Sequence, residues 1–202
     1  MTYEGGVVHG PAWPRSSAGE LRRVLFLDRD GIDNANHGYV HTPEATDWIP
    51  GIFDLCAAAV AAGYGLVVVT NQAGIARGYY DRAEFETYTR WMHCQFQAHG
   101  LALLATYYCP HHPEAGIGDA RRDCTCRKPR PGMLVRAAED LGIDLAASVL
   151  VGDAATHVAA AEAAGLRMAL MVEPEGAGGP GLLRLGRLFD ERSKQHGKEA
   201  GE

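Results

Sequence analysis

"VLFLDRDGIDN", residues 24–34, decides the fold class of this chain. Four apolar residues run without interruption, which is typical of a strand buried on both faces, as in parallel sheets. The run ends on Asp28, and Asp30 and Gly31 follow. Alone, such a pair of aspartates could be a solvated turn in which the glycine supplies backbone freedom. The run itself predicts the first strand of an α/β sheet.

Outward from this strand, apolar runs alternate with amphipathic stretches, which favours repeated strand–helix units. We therefore predict a Rossmann-like three-layer sandwich with a mainly parallel sheet, a minimal cap and a zinc-bound loop. Further strands are expected at residues 65–71, 103–109, 148–153 and 167–172, and helices at 52–63, 81–99, 131–141 and around 159–165.

The chain of 202 residues suits one domain, which we place at residues 21–173. Residues 1–20 are expected to be a flexible arm without a secretion signal, and residues 174–202 a tail with a short docking helix. The net charge of -6 argues against nucleic acid as a partner, and no apolar stretch is long enough to cross a membrane. We expect a cytoplasmic monomer that acts on a small molecule.

Polar residues end several of the predicted strands. Asp28, Thr70 with Asn71, Cys109 and Asp153 all fall at carboxyl ends, the edge where α/β sheets bind ligands. With Lys128 they suit phosphoryl transfer through an aspartyl-phosphate, because a cation and a lysine offset the repulsion between carboxylate and phosphate. Oxygen ligands favour Mg²⁺, and a second carboxylate can move the proton.

The cysteine pattern predicts a zinc site at residues 109–126. Cys109 and His111 lie one residue apart, as do Cys124 and Cys126, and three thiolates with one imidazole suit tetrahedral Zn²⁺. All four positions are then protein ligands, so the zinc would be structural. Disulfides or free thiols are the alternative. The remaining cysteines, Cys56 and Cys94, lie in helical patterns and are expected in the core.

Several motifs carry a resemblance to known enzymes. The segments "FLDRDG", "VVTNQ", "CRKP" and "VGD" resemble the four motifs of the haloacid dehalogenase (HAD) superfamily of phosphatases. The segments "HGYVH", "TNQAGIARGYY", "YYCPHHP" and "CTCRKPRPGML" are similar to those of the D-glycero-D-manno-heptose 1,7-bisphosphate 7-phosphatase family. Histidinol-phosphate phosphatases share the cysteine loop but match "IARG" and "RPGML" less well.

The resemblance implies a Mg²⁺-dependent phosphatase that acts on a sugar bisphosphate. Asp28 would be the nucleophile and Asp30 the general acid and base. Phosphoryl-binding residues would be Thr70, Asn71 and Lys128; Mg²⁺ ligands would be Asp28, Asp30, the Arg29 backbone carbonyl and Asp153; substrate contacts would be Asn36, His37, Gly38, Tyr39, Gln72, Arg77 and Arg127.

Five residues depart from the family pattern around one pocket. Relatives usually carry lysine and aspartate where this chain has Ala154 and His157, aspartate at Asn36, serine at Ala73 and an apolar residue at Asp33. Activity could be preserved, the substrate could differ, or the protein could only bind a ligand. One further hypothesis pairs Asp33 with His157.

Overall fold

The computed structural model describes residues 3–11, 22–35, 38–172 and 181–189. Its strands and helices, in chain order, are β1 (Gly6–His9), β2 (Val24–Leu27), α1 (Ile52–Ala61), β3 (Gly65–Asn71), α2 (Ala73–Ala76), α3 (Arg82–Ala98), β4 (Leu103–Cys109), α4 (Gly132–Leu141), β5 (Val149–Gly152), α5 (Ala155–Ala164), β6 (Met168–Met171) and α6 (182–189). Single 3₁₀ turns lie at Pro43–Ala45, Gly118–Ala120 and Leu145–Ala147.

One six-stranded sheet has the order β1-β4-β3-β2-β5-β6. Every neighbouring pair is parallel except β1 with β4. The chain runs from β2 to β3 on one side and returns to pair β5 on the other, so the strand order switches direction at β2. A switch point is where open α/β sheets bind ligands, and Asp28 follows β2 directly.

Both faces of the sheet are covered, which confirms the predicted three layers. Leu25 and Leu27 pack in one apolar cluster with residues of α1 and α6. Val24 and Phe26 point to the other face and pack with residues of α4 and α5. Successive residues of β2 therefore serve opposite clusters, and burial on both faces explains why the strand is continuously apolar.

The predictions for the two ends of the chain have different outcomes. A flexible arm over residues 1–20 is wrong for Gly6–His9, because this segment pairs antiparallel with β4 and extends the sheet at its edge. The short docking helix of the tail is present at residues 182–189, where Leu185 and Phe189 are buried in the core. Residues 12–21 and 173–180 lie outside the described residues.

Two smaller features complete the fold. Asp81 caps α3 as expected, and it forms a capping box in which its side chain accepts from Glu84 N and the Glu84 side chain accepts from Asp81 N. Cys56 is buried as predicted, but Cys94 is exposed, so its expected place in the core is wrong. Among the described helices, none is both long and apolar enough to cross a membrane.

Candidate active site

A buried ion pair lies at the carboxyl end of β2. Lys128 Nζ donates to Asp28 Oδ1 and also to the Val69 carbonyl at 2.7 Å. Both side chains are almost fully buried, at 1% and 6% exposed. Losing either partner would leave an uncompensated buried charge, which is strongly unfavourable. The lysine is therefore held against one oxygen of the carboxylate.

Asn71 fixes the backbone that carries this lysine. Its Nδ2 donates to the Lys128 carbonyl at 3.1 Å, and its Oδ1 accepts from Lys128 N at 3.0 Å. The amide thereby satisfies both backbone groups of one residue across 57 positions of sequence. Asn71 thus positions Lys128, and the phosphoryl-binding role that the resemblance implies for it stays a prediction.

The second aspartate belongs to a separate polar network. Arg29 donates to Asp30 Oδ1 through Nε at 3.0 Å and Nη2 at 2.6 Å, and Gln72 Nε2 lies 3.3 Å from Asp30 Oδ2. The Gln72 amide also donates to the Thr70 hydroxyl at 2.7 Å and accepts from Tyr80 at 2.7 Å. These bonds restrict the orientation of the Asp30 carboxylate.

Tyr80 was missed as a site residue. Its side chain is buried, its hydroxyl orients the Gln72 amide, and its ring stacks on His41 at 4.3 Å between centroids. The available signal was "RGYY" at residues 77–80, which belongs to a segment already assigned to the substrate region. A buried hydroxyl needs a hydrogen-bond partner, and here that partner is Gln72.

A second cluster, next to the ion pair, can hold a cation. One carboxylate oxygen each of Asp28 and Asp153 and one imidazole nitrogen of His157 lie within 4.8 Å of one another. Burial, followed by the charge of Asp28, raises the pKa of Asp153 to about 6. Burial, followed by the charge of Lys128, lowers the pKa of His157 to about 4, so the imidazole is neutral at pH 7. Two close carboxylates beside a neutral imidazole fit a divalent cation.

The predicted ligand set is only partly assembled. The Arg29 carbonyl points into its own turn, where it accepts from Asp33 N at 2.8 Å and from Ile32 N and Asn34 N at 3.3 Å each. These bonds orient the carbonyl within its turn, and its predicted role as a Mg²⁺ ligand stays a prediction. The Asp30 side chain is bound to Arg29 and Gln72 and lies outside the cation cluster.

Gly31 explains why a glycine follows the two aspartates. Its φ of +88° lies in the left-handed region that favours glycine. A Cβ at this position would lie 2.0 Å from Asp153 Oδ2. The turn after β2 therefore needs glycine both for its backbone conformation and for the close approach of Asp153.

The hypothesis that Asp33 pairs with His157 is wrong. The imidazole faces other carboxylates, with Nε2 3.5 Å from Asp28 Oδ2 and Nδ1 3.4 Å from Asp153 Oδ1. Asp33 is fully buried, and neither of its carboxylate oxygens has a hydrogen-bond partner. Burial, followed by the charge of Asp28, raises the pKa of Asp33 well above its ordinary value.

A cavity of about 320 Å³ opens beside Asp30. Tyr39 lies on its rim with a φ of +58°, and its ring packs edge-on against Tyr79 at 4.7 Å between centroids. Arg77 lies 5.9 Å from the centre of the Tyr39 ring, and neither Arg77 nor Arg127 lines the cavity. The lining residues are Asp30, Gly38, Tyr39, Asn71, Gln72, Ala73 and Tyr80.

Other predicted substrate contacts lie elsewhere. Arg127 Nη1 donates to the His111 carbonyl at 3.1 Å, which ties this side chain to the cysteine loop. Asn36 and His37 lie outside the described residues. The cavity therefore brings together Gly38, Tyr39 and Gln72 from the predicted substrate set.

The cysteine loop brings its four predicted ligands together. The three sulfur atoms of Cys109, Cys124 and Cys126 are 3.2–3.5 Å apart. His111 Nδ1 lies 3.5 Å from Cys126 Sγ and 3.9 Å from Cys109 Sγ. A tetrahedral zinc with bonds of about 2.3 Å to sulfur holds sulfur atoms about 3.8 Å apart. A slight expansion of the cluster would therefore admit Zn²⁺.

The electrostatics of the cluster favour thiolate formation at one position. Hydrogen bonding by the Cys126 thiol lowers the pKa of Cys109 to about 7, against the opposing effect of burial. Thiolate is the form that binds zinc. The loop leads directly into Arg127 and Lys128, so a metal bound here would order the segment that supplies the buried lysine.

Comparison with known proteins identifies relatives that match about three quarters of the chain. A family model described as HAD-hydrolase-like matches residues 125–175. The D-glycero-beta-D-manno-heptose-1,7-bisphosphate 7-phosphatase of Vibrio cholerae is 49% identical over 149 residues, which are 74% of this chain and 80% of that protein. The D-glycero-alpha-D-manno-heptose-1,7-bisphosphate 7-phosphatase of Burkholderia mallei is 45% identical over 150 residues, which are 74% of this chain and 79% of that protein.

Solved structures of related phosphatases are also similar to this chain. A HAD-like phosphatase from Mesorhizobium loti superposes with a TM-score of 0.80 at 33% identity, covering 96% of both chains. A D,D-heptose 1,7-bisphosphate phosphatase from B. bronchiseptica, complexed with magnesium and phosphate, superposes with a TM-score of 0.71 at 30% identity. That match covers 84% of this chain and 98% of the other.

Proposed function

The chain belongs to the heptose bisphosphate phosphatase family of HAD-like hydrolases, and from this premise we propose that it removes the 7-phosphate of D-glycero-D-manno-heptose 1,7-bisphosphate. It is a phosphoric monoester hydrolase of the class that uses Mg²⁺. The observation that carries the proposal is the buried Asp28–Lys128 pair beside a cluster that can hold a cation, at the carboxyl end of the switch-point strand.

We assign the nucleophilic attack to Asp28. A carboxylate oxygen forms a bond to phosphorus while the bond from phosphorus to the sugar oxygen breaks, which gives an aspartyl-phosphate and an alkoxide. Lys128 contacts the same carboxylate and lies where negative charge develops on the transferred group. Asn71 supports this step by holding the Lys128 backbone in place.

We assign the proton transfers to Asp30. Its carboxylic acid would give a proton to the leaving alkoxide, and the resulting carboxylate would take one from the water that attacks the aspartyl-phosphate. Arg29 and Gln72 hold two sides of this carboxylate, and Tyr80 holds Gln72. The same group can therefore serve both half-reactions without reorientation.

The two proposed metal ions, a divalent cation at the active site and zinc in the cysteine loop, have different roles. A divalent cation held by Asp28 and Asp153 would neutralise charge on the phosphoryl oxygens. Zinc held by the cysteine loop would be structural, because all of its ligands come from the protein. The cavity beside Asp30 would receive the sugar, with the Tyr39 ring on its rim.

The setting of the enzyme is also a proposal. A small sugar phosphate is the proposed partner, as it is for the relatives, and the net charge of -6 does not favour nucleic acid. A cysteine cluster that holds zinc and forms no disulfide suits a reducing compartment, so we propose a cytoplasmic protein. We propose that it acts as a monomer.

The test is release of phosphate from the alpha and beta anomers of heptose 1,7-bisphosphate, with histidinol phosphate assayed in parallel. We expect kcat/KM for one heptose anomer to exceed that for histidinol phosphate by at least about 10²-fold, because the sugar and its second phosphate are contacts that histidinol phosphate lacks. Asp28→Asn should abolish turnover of every substrate.

Matched variants separate chemistry from folding. Asp54→Asn changes an exposed aspartate of α1 and should leave turnover intact. Asp28→Asn should retain cooperative unfolding and stoichiometric zinc. Turnover that survives in folded Asp28→Asn would refute the nucleophile assignment, and a wild-type chain that prefers histidinol phosphate would refute the substrate.

A further inference from the structure

His157 occupies an unusual position for an active-site imidazole. It lies in the first turn of α5, four residues after Asp153, so both side chains face the same edge of the sheet. The side chain is only 8% exposed, and Nδ1 is buried with no hydrogen-bond partner. A buried polar atom without a partner requires an explanation.

The distances around the ring suit a ligand of a shared ion better than a hydrogen bond. Nε2 lies 3.5 Å from Asp28 Oδ2, and Nδ1 lies 3.4 Å from Asp153 Oδ1. Hydrogen bonds from nitrogen to oxygen are typically 2.7–3.2 Å long. Ligands around an octahedral cation with bonds of about 2.1 Å lie about 3 Å apart when adjacent and just over 4 Å apart when opposite. The observed spacings of 3.5 and 3.4 Å lie between these values and are nearer to the spacing of adjacent ligands.

Two glycines make room for this arrangement. A Cβ at Gly152 would lie 2.4 Å from His157 Nδ1, and a Cβ at Gly31 would lie 2.0 Å from Asp153 Oδ2. Either side chain would displace a member of the cluster. The two glycines therefore leave room for the His157 imidazole and the Asp153 carboxylate to lie close together.

Asp28 divides its two oxygens between different partners. Lys128 donates to Oδ1, whereas Oδ2 faces His157. The lysine thus leaves one oxygen for a cation without competing for the same atom. Asp153 contributes a second oxygen, and the imidazole contributes a nitrogen.

We propose that His157 is a nitrogen ligand of the active-site cation and shifts its preference from Mg²⁺ towards Mn²⁺. Mg²⁺ prefers oxygen ligands and gives up its water reluctantly. Imidazole binds the first-row transition ions better, in the order that begins with Mn²⁺. The inference rests on the proposed function in that the same cation serves the phosphatase, but it concerns metal binding and is measured without substrate.

The direct test is electron spin echo envelope modulation of Mn²⁺ bound to the full chain, with the cysteine loop filled by zinc so that His111 cannot contribute. We expect ¹⁴N modulation from a bound imidazole in the wild type. His157→Gln should abolish it, and His99→Gln, which changes an exposed histidine, should preserve it. A wild-type Mn²⁺ complex without ¹⁴N modulation would overturn the proposal, even if every His157 variant failed to fold.

A second test compares the dissociation constants of Mn²⁺ and Mg²⁺ by calorimetry. His157→Asp should lower the preference for Mn²⁺ over Mg²⁺ by about tenfold or more, a change in the range seen for altered metal environments. An unchanged preference in folded His157→Asp would contradict the proposal. Nitrogen modulation without phosphatase turnover would leave the ligand assignment standing and remove the proposed function, and turnover without modulation would do the reverse.

Discussion

Asp33 offers the sharpest test of the electrostatics at this site. It is fully buried, both carboxylate oxygens lack a hydrogen-bond partner, and burial, followed by the charge of Asp28, raises its pKa well above the ordinary value. We expect Asp33→Asn to stabilise the protein at neutral pH, because an amide keeps the shape of the side chain and cannot ionise.

The magnitude follows from proton linkage. Below about pH 4 the carboxyl group of Asp33 is protonated in both states, so it adds no pH dependence. As the pH rises, the unfolded chain loses the proton while the folded chain keeps it, and the free energy of unfolding falls by up to about 1.4 kcal/mol per pH unit until the folded pKa is reached. Between pH 4 and pH 7 the advantage of Asp33→Asn can therefore grow by up to about 4 kcal/mol.

The assay is urea unfolding of wild type and variant at pH 5, 6 and 7. With a urea dependence of about 2 kcal/mol per molar, the midpoint of Asp33→Asn should move above that of wild type by on the order of 1 M as the pH rises. Asp54→Asn, in an exposed position, should change the free energy of unfolding by no more than about 0.5 kcal/mol throughout. A gap between Asp33→Asn and wild type that stays constant from pH 5 to pH 7 would refute the reasoning.

Three further outcomes are expected. Cys126→Ser, or removal of zinc by a chelator, should raise KM and lower the unfolding free energy by several kcal/mol, part of the roughly 10–16 kcal/mol of binding energy that structural zinc contributes to folding; unchanged thermal unfolding would exclude structural zinc. Phe189→Ala should cost about 3–5 kcal/mol in urea unfolding because this ring is buried, whereas exposed Leu183→Ala should be nearly neutral; equal effects would refute docking of α6. Asn71→Ala should lower kcat by about 10²-fold because Lys128 is no longer held; a change in KM alone would contradict that role.

The sheet was largely predictable because its strands are buried on both faces. The predicted limits of 65–71 and 103–109 match β3 and β4, where an apolar run is bounded by glycine or by a cysteine of the predicted zinc site. Strand β1 was missed, because four residues among glycines carry little local signal and the strand depends on pairing with the edge of β4. The local periodicity of the sequence does not encode such tertiary pairing.

The sequence predicted which residues lie in the site better than it predicted the contacts between them. Strand-end residues converge because parallel strands share one edge, so Asp28 and Asp153 could be placed together from the sequence. The hydrogen-bond partner of each polar group could not be predicted from the sequence in this way. The Asn71 side chain hydrogen-bonds to the backbone of a residue 57 positions away. The Arg29 carbonyl accepts hydrogen bonds within its own turn. Both facts depend on loop geometry that composition does not encode.

Charge balance explains why this edge needs a divalent cation. The carboxylates and cations that interact here are Asp28, Asp30, Asp33, Asp153, Arg29 and Lys128. Four carboxylates against two cations leave two surplus negative charges, which a divalent ion would cancel when His157 is neutral. If Asp33 keeps its proton, as its raised pKa favours, the loaded site carries one surplus positive charge. A phosphate dianion is then attracted to the edge rather than repelled, whereas an ionised Asp33 would cancel that surplus charge.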